Sequence, residues 1–316
     1  MATASSYISI IIPTYFNRLR EKNLITLIAQ LSLQHSNLVG TRLEIIIVDN
    51  GCNIPKDIKR QIESFHPLTR LVYEPLVGLS RARNTGIRLA KGDIIAFLDD
   101  DVLIAPTWLK GLLKSFSNKN VLCAGGRVVS EQNSANMPRW YSVFFSRFIV
   151  PPKFPSKRTH IKNPYYLIGA NVSFRKKVFD KVGLFEVDLG RKGNVLLSGE
   201  DTEFIARLLK INVWFEPDMD AHIKVDPNRM NRSFFIRRLF WQGISDYIMV
   251  KRRGLNNFYD KDEVFLKIPF LRKVFYKLTE FSFFEVFCMF VRLIGFSFGK
   301  TYLERQKRQN ESTSFG

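Results

Sequence analysis

Apolar runs alternate with helical patterns along the first hundred residues. Residues 7–12, 43–48 and 94–98 are apolar and mostly β-branched or aliphatic, which is typical of buried strands. Leucine and isoleucine recur at helical spacing over 24–31, and residues 55–65 predict a second helix. Strands that alternate with helices in this way predict an α/β fold whose central sheet is mostly parallel and flanked by helices.

The rest of the chain divides into two parts. Further predicted elements are a strand at 71–73, a helix over 80–90 with Ser80 as its N-cap, a strand over 167–174, helices that start at 176 and 200, and a strand over 213–216. We expect a catalytic domain over 1–226, with its nucleotide-binding part at 1–130 and its acceptor side at 131–226. Residues 227–316 form a basic, aromatic, helical extension.

Positive charge is in clear excess. The 316 residues carry a formal net charge of +19, and 46% of them are hydrophobic. Such a charge favours an anionic partner (nucleic acid, anionic lipid or a phosphate-bearing substrate), although a basic protein without such a partner is an alternative. Cys52, Cys123 and Cys288 lie far apart in the sequence and predict reduced thiols. Residues 1–12 lack a secretory pattern, so we expect a cytoplasmic protein, peripheral on the inner face of the membrane.

Carboxylates follow two of the predicted strands. Asp49 ends the second strand, and Asp99, Asp100 and Asp101 follow the strand at 94–98. In open parallel sheets, ligands bind beyond the carboxyl ends of the strands. Clustered carboxylates repel each other unless a cation lies among them, and a divalent ion held with substrate phosphates would meet that need. The alternative is that the aspartates cap the helix that begins at Pro106.

Five stretches of the chain occur in the order found in one enzyme family. They are Ile10-Ile11-Ile12-Pro13-Thr14-Tyr15-Phe16-Asn17-Arg18, Ile47-Val48-Asp49-Asn50, Gly78 to Gly86 continuing to Asp99-Asp100-Asp101, Gly169-Ala170-Asn171 with Phe174-Arg175, and Gly199-Glu200-Asp201-Thr202-Glu203 with Arg207-Leu208. Together they span residues 7–225, and the sequence resembles the inverting family 2 glycosyltransferases. The resemblance implies the GT-A nucleotide-diphospho-sugar transferase fold and transfer of a sugar from a nucleotide sugar to a hydroxyl acceptor, in the synthesis of a polysaccharide or cell-envelope glycan.

The resemblance also implies roles for individual residues. The nucleotide-sugar donor would contact Pro13, Thr14, Tyr15, Asp49, Arg83, Asp99 and Asp100. A divalent cation, Mg²⁺ or Mn²⁺, would be held by Asp99, Asp101 and His222. Asp201 would be the catalytic base with Glu200 beside it, and Gly169 and Asn171 would lie on the acceptor side. Two alternatives stay open: acids in the first turn of a helix also favour its dipole, and a lone histidine is often structural.

Two other segments suggest function. Residues 188–199 contain three glycines together with Arg191 and Lys192, which predicts a lid over the bound donor or, equally, an ordinary surface loop. Residues 278–299 are apolar and aromatic but include Glu280, Glu285 and Arg292, which favours a helix lying on an anionic membrane surface or packed on the catalytic domain rather than one that spans a membrane. The acceptor would then be a glycan or a lipid-linked molecule.

Two other classes of protein compete with this prediction. A nucleotidyltransferase would also bind a nucleotide at an α/β sheet, but it would open with a glycine-rich phosphate loop, which residues 13–18 are not. A non-catalytic basic protein that binds nucleic acid or a membrane surface is suggested by charge alone. No recognisable nucleic-acid module occurs in the sequence, so we expect no specific nucleic-acid partner.

Overall fold

The structure is a computed structural model that describes residues 6–16, 18–51, 53–65, 67, 69–130, 137–149, 154–162, 166–208, 212–253 and 282–313. Asn17, Cys52 and residues 254–281 therefore lie outside the described residues, and with them the first part of the amphipathic segment predicted at 278–299. Cys123 and Cys288 are buried free thiols, as reduced cysteines would be.

The chain forms two compact units, and each is discontinuous in sequence. The first comprises Met1–Gln132, Val150–Val187 and Glu200–Val225. The second comprises Asn133–Ile149, Asp188–Gly199 and Asp226–Gly316. Two segments that the sequence assigns to the catalytic domain, 133–149 and 188–199, thus belong to the second unit. The reason is packing: aromatic residues of 140–148 join an apolar cluster with residues of the two long C-terminal helices.

The strands form two sheets in the first unit. They are β1 (Tyr7–Thr14), β2 (Arg42–Asp49), β3 (Thr69–Tyr73), β4 (Ile94–Leu98), β5 (Val102–Ile104), β6 (Cys123–Gly125), β7 (Val128–Ser130), β8 (Thr159–His160), β9 (Asn171–Arg175), β10 (Val213–Phe215) and β11 (Ala221–Ile223). Eight of them form the central sheet in the order β3-β2-β1-β4-β9-β6-β10-β8, and the other three form a small sheet in the order β5-β11-β7. Strands β3, β2, β1 and β4 are parallel, whereas β9 is antiparallel to both of its neighbours.

The helices are α1 (Arg18–Ser36), α2 (Lys56–Phe65), α3 (Leu79–Leu89), α4 (Trp108–Ser117), α5 (Val143–Ser146), α6 (Lys177–Val182), α7 (Glu200–Ala206), α8 (Arg232–Arg253) and α9 (Phe283–Thr313). One prediction about their ends is wrong: the N-cap of α3 is Gly78 rather than Ser80. The amide of Gly78 donates to Asn50 Oδ1 at 2.7 Å, which fixes the chain at that point, so the helix starts earlier and Ser80 is buried in its first turn.

The central sheet is buried on both faces. Along β1, Ile10 and Ile12 pack into one apolar cluster and Ile11 packs into the other. Successive side chains of a strand point to opposite faces, so an unbroken apolar run is what a strand covered on both sides requires. The core of the first unit therefore follows directly from the apolar runs in the sequence.

Helices α8 and α9 lie against each other in the second unit. Gly243 of α8 and Gly295 of α9 permit backbone contact, since a Cβ atom at Gly295 would lie 1.9 Å from the carbonyl oxygen of Phe240. Arg292 Nε donates to Asp246 Oδ2 at 2.6 Å across the pair. Among the described residues, no helix combines the length and the hydropathy needed to cross a membrane.

Candidate active site at the carboxyl edge of the sheet

The sheet topology brings the predicted motifs of the first unit to one edge. Thr14 at the end of β1 pairs in register with Asp49 at the end of β2, and Asp99 directly follows β4. Because β9 runs antiparallel to β4, its first residue, Asn171, pairs with Leu98 at the same edge. Residues that are distant in sequence therefore meet where α/β sheets bind ligands.

The three consecutive aspartates differ in exposure. The side chain of Asp100 is 1% exposed, whereas those of Asp99 and Asp101 are 31% and 27% exposed. Thr14 Oγ1 donates to Asp100 Oδ2 at 2.5 Å, and Arg20 Nη1 donates to Asp100 Oδ1 at 2.6 Å. Burial raises the pKa of Asp100 to about 6 even though Arg20 opposes that rise. Asp100 anchors the loop from beneath, and Asp99 and Asp101 face outward.

Arg20 is a member of this cluster that the sequence did not reveal. Besides its bond to Asp100, its Nη2 lies 3.6 Å from Asp101 Oδ2. Burial lowers the pKa of Arg20, but Asp100 and Asp101 outweigh that effect and raise it. Its only sequence signal is its position in the first turn of a helix that follows a motif strand, which puts its side chain close to the end of that strand.

Arg83 links two of the predicted motifs. Its side chain is 1% exposed, and its guanidinium donates to Asp99 Oδ1 at 3.1 Å and to Glu200 Oε1 at 2.7 Å. Burial lowers the pKa of Arg83, but the carboxylates of Asp99 and Glu200 outweigh it, so the pKa is raised. The rings of Phe97 and Phe185 lie 5.9 and 5.6 Å from the guanidinium carbon. A donor-binding role for Arg83 stays a prediction. The side chain is buried, and its link to the carboxyl edge of the sheet is the hydrogen bond to Asp99.

Gly169 connects this arginine to Asp201. A Cβ atom at residue 169 would lie 2.6 Å from Arg83 Nη2, so the backbone approaches the guanidinium as only glycine allows. The amide of Gly169 donates to Asp201 Oδ2 at 2.8 Å, and the amide of Thr202 donates to Asp201 Oδ1 at 2.7 Å. Asp201, which is partly exposed, is thus oriented by two backbone donors. Burial, reinforced by the nearby Asp201, raises the pKa of Glu200 although Arg83 opposes it.

The residues predicted to contact the nucleotide differ in accessibility. Pro13 and Thr14 are buried, and Tyr15 is exposed. Asp49 is buried, and its Oδ2 accepts a hydrogen bond from the amide of Ile54 at 2.8 Å. Among these four residues Tyr15 has the most exposed side chain, and the nucleotide-binding roles of all four stay predictions.

Two of the predicted site residues, Asn171 and His222, lie in β-strands. Asn171 is fully buried; its Oδ1 accepts from Trp108 Nε1 at 2.8 Å, and its Nδ2 donates to the carbonyl oxygens of Arg127 and Met219. The side chain thus fixes the start of β9, and the placement of Asn171 on the acceptor side stays a prediction. His222 lies on β11 and pairs with Leu103 of β5, the strand that leaves the aspartate cluster. Its role as a metal ligand stays a prediction.

The predicted lid belongs to the second unit. Lys192 Nζ lies 3.4 Å from Gln306 Oε1, and Arg252 Nη2 donates to Asp188 Oδ2 at 2.8 Å. Ser198 donates its hydroxyl to Gln242 Oε1 at 2.9 Å. Both ends of the loop are therefore tied to α8, and the closure of Arg191 and Lys192 over a donor stays a prediction.

The two outward carboxylates fit a divalent cation bound together with a diphosphate. Within the described ranges, no group of three or more His, Cys, Asp or Glu side chains is arranged to hold a metal ion alone. Mg²⁺ is usually bound through one or two carboxylates plus substrate phosphates, and Asp99 and Asp101 offer two. Each has one oxygen near an arginine, and its second oxygen has no hydrogen-bond partner among the described residues. The donor set thus suits an oxygen-loving ion that needs the substrate to complete its shell.

Comparison with known protein families decides the class of enzyme. The profile described as "Glycosyl transferase family 2" matches residues 9–183, which is more than half of the chain. This chain belongs to glycosyl transferase family 2. The predicted family is thereby confirmed, and the chain is assigned to the glycosyltransferases rather than to the nucleotidyltransferases.

Curated relatives of this glycosyltransferase match about two thirds of its length. A glucosyl-dolichyl phosphate glucuronosyltransferase from Haloferax volcanii is 26% identical over 216 residues, which cover 66% of this chain and 67% of that protein. A pre-mycofactocin glycosyltransferase from Mycobacterium tuberculosis is 25% identical over 209 residues, which cover 66% of this chain and 43% of that protein. The match thus spans less than half of the second relative.

A solved structure confirms the predicted fold. A mannosyltransferase from Pyrobaculum calidifontis, in complex with GDP-Man and Mn²⁺, superposes with a TM-score of 0.56 at 16% identity and covers 94% of this chain and 88% of its own. The glycosyltransferase therefore has the α/β GT-A fold, with a mostly parallel central sheet flanked by helices and a helical C-terminal part.

Proposed function

We propose that this glycosyltransferase moves a sugar from a nucleoside diphosphate donor to a hydroxyl of a lipid-linked glycan, with inversion, in the synthesis of a polysaccharide or cell-envelope glycan. One observation carries the proposal. Asp99 and Asp101 are partly exposed at the carboxyl edge of the sheet, while Arg83 links Asp99 to the segment that begins with Glu200 and Asp201. Arg83 therefore links the edge that would bind phosphate to the segment that would supply the carboxylate base.

Asp99 and Asp101 would hold Mg²⁺ or Mn²⁺ with the diphosphate of the donor. When bound, such an ion supplies positive charge that stabilises the departing diphosphate. Thr14 and Arg20 hydrogen-bond to the buried carboxylate of Asp100 and so hold the loop that carries Asp99 and Asp101 in place. Arg83 neutralises Asp99 on its inner side and so sets the direction of its outward oxygen. Tyr15, which is exposed directly after β1, would contact the nucleotide.

Asp201 would take the proton of the acceptor hydroxyl. The acceptor oxygen then forms a bond to the anomeric carbon as the bond from that carbon to the diphosphate oxygen breaks, and the nucleoside diphosphate leaves. Attack opposite the leaving group inverts the anomeric centre. The two backbone donors on Asp201 keep its carboxylate oriented, which a general base requires.

Two arguments favour a hydroxyl on a lipid-linked glycan. The name of the relative from Haloferax volcanii describes transfer to glucosyl-dolichyl phosphate, an acceptor that already carries a sugar. A hydroxyl must lose a proton to become a good nucleophile, whereas a lipid phosphate is already ionised. A base held as firmly as Asp201 is therefore expected for a hydroxyl acceptor.

The test is a transfer assay in detergent. Nucleoside diphosphate sugars, each with and without Mn²⁺, are offered with a glycosylated polyprenyl phosphate, a bare polyprenyl phosphate or a free oligosaccharide. We expect Mn²⁺-dependent release of nucleoside diphosphate with the glycosylated lipid, and NMR of the product should show an inverted anomeric centre. Transfer to the bare lipid phosphate that survives Asp201→Asn would overturn the hydroxyl acceptor, and a retained configuration would overturn inversion.

A further inference from the structure

Helix α9 carries a line of exposed apolar side chains, the aromatic stripe. Its members are Phe283, Phe287, Phe290, Ile294 and Phe298, whose exposed fractions are 89%, 44%, 47%, 50% and 55%. Spacings of three and four residues place all five on one face of the helix. Single exposed apolar side chains are ordinary, but a contiguous line of them marks an interaction surface.

The opposite face of α9 is fixed against α8. A Cβ atom at Gly295 would lie 1.9 Å from the carbonyl oxygen of Phe240, and one at Gly299 would lie 2.4 Å from the ring of Tyr247. The backbones of α8 and α9 are therefore in contact. The ion pair of Arg292 and Asp246 adds an electrostatic contact on the same face of α9. Rotating α9 to hide the stripe would break all of these contacts, so the stripe stays on the outer face.

The stripe continues into a basic end. From Phe298 the same three- and four-residue spacing leads to Arg305 and Arg308, both exposed. Residues 300–308 contain four basic residues and one acidic residue, Glu304, which lies 4.0 Å from Lys300. The outer face of α9 thus combines aromatic side chains with a net positive charge along one line.

We propose that the aromatic stripe docks this enzyme on the surface of an anionic lipid bilayer. Aromatic rings suit the boundary between headgroups and acyl chains, and basic side chains next to them attract anionic headgroups. A second copy of the chain is a poorer occupant, because it carries the same net charge of +19 and would be repelled, whereas anionic headgroups would be attracted. The proposal deepens the proposed function, since a lipid-linked acceptor resides in such a surface, but the docking itself requires no catalysis.

The test is co-sedimentation with vesicles of phosphatidylcholine, with and without phosphatidylglycerol, at low and high salt. The full chain should bind the anionic vesicles, and high salt should weaken binding, by roughly fivefold for each basic side chain whose contact is screened. Phe283→Ser together with Phe287→Ser should lower the binding constant at least about tenfold, because two aromatic contacts with the bilayer are lost. The matched control is Leu33→Ser together with Val39→Ser, which removes two apolar side chains exposed on the first unit (68% and 102%) and should bind like the unmodified chain.

Thermal unfolding of each variant checks that the variant is folded. We expect all of them to fold, because the substituted positions are exposed. Equal binding by the stripe variant and its control, or no binding of the full chain to anionic vesicles, would overturn the proposal. So would a dimer that becomes monomeric in the stripe variant, since the stripe would then join two copies. Transfer to the glycosylated lipid in detergent, measured on the same samples, separates the two proposals: its failure alongside normal vesicle binding rejects the proposed function and leaves the docking surface.

Discussion

The carboxyl edge of the sheet and the outer face of α9 depart from ordinary burial in opposite directions. The first unit buries charged side chains, with Arg83 and Asp100 each 1% exposed and bonded to ionised partners. The second unit exposes aromatic side chains that a protein interior would normally hold. Both departures are unfavourable unless something compensates, which is counter-charge in the first case and an external apolar partner in the second. We infer that each marks the part of the molecule that meets a substrate or a surface.

The largest effect should come from Asp201→Asn. Removing the base is expected to lower kcat for a hydroxyl acceptor by about 10²–10⁴-fold, because the acceptor proton loses its receiver. Binding of the nucleotide, measured by calorimetry, should be nearly unchanged. Asp180→Asn, which alters an exposed carboxylate on α6, is the control and should keep full activity. A similar loss of activity in both variants would contradict the role of Asp201.

Arg83→Met should have the next largest effect, on stability. The change leaves the buried carboxylate of Glu200 without its cation, and breaking a buried pair from one side typically costs about 3–5 kcal/mol. Denaturant unfolding measures the change in the free energy of unfolding. Adding Glu200→Gln should restore part of the loss, since the stranded charge is then removed. If the double variant is no more stable than Arg83→Met alone, the pairing contributes nothing through Glu200.

A smaller effect is expected between the helices of the second unit. Gly295→Ala places a methyl group against the backbone of Phe240, and overpacking of this kind costs typically about 1–3 kcal/mol. Thermal unfolding should show a lower transition, and amide exchange should accelerate in α8 and α9 but not in β1 and β4. Ser297→Ala, an exposed position on the same helix, should leave both readouts unchanged. Stability unaffected by the change at Gly295 would show that the two helices can separate without penalty.

The sequence predicts the first unit well for a physical reason. A strand buried on both faces must be apolar throughout, so β1, β2 and β4 appear as unbroken runs, and the polar residues after them mark the edge where ligands bind. The family and the fold are accordingly confirmed. The spacing of motifs does not reveal which side chains pair with each other. Arg20 was missed, and the buried place of Arg83 between Asp99 and Glu200 appears only in three dimensions.

The second unit is harder to predict because its core is not periodic in sequence. Trp140 and Phe145 pack with Phe235 and Phe284, residues that lie about a hundred positions or more away along the chain. Nothing in the sequence therefore set residues 133–149 apart from the acceptor side of the catalytic domain that was predicted at 131–226. The exposed face of α9 also depends on which side packs on α8. The glycines that decide this, Gly243 and Gly295, carry no hydrophobic signal.

The most direct test of the account is a calorimetric titration of Mn²⁺ in the presence of a nucleoside diphosphate. We predict that the unmodified chain binds the ion only when the nucleotide is present, and that Asp101→Asn weakens this binding at least about tenfold, since one of two charged protein ligands is lost. Asp57→Asn, at an exposed carboxylate on α2, should bind as the unmodified chain does. Equal Mn²⁺ affinity in Asp101→Asn and the control would contradict the claim that the partly exposed carboxylates of Asp99 and Asp101 hold the metal and the diphosphate.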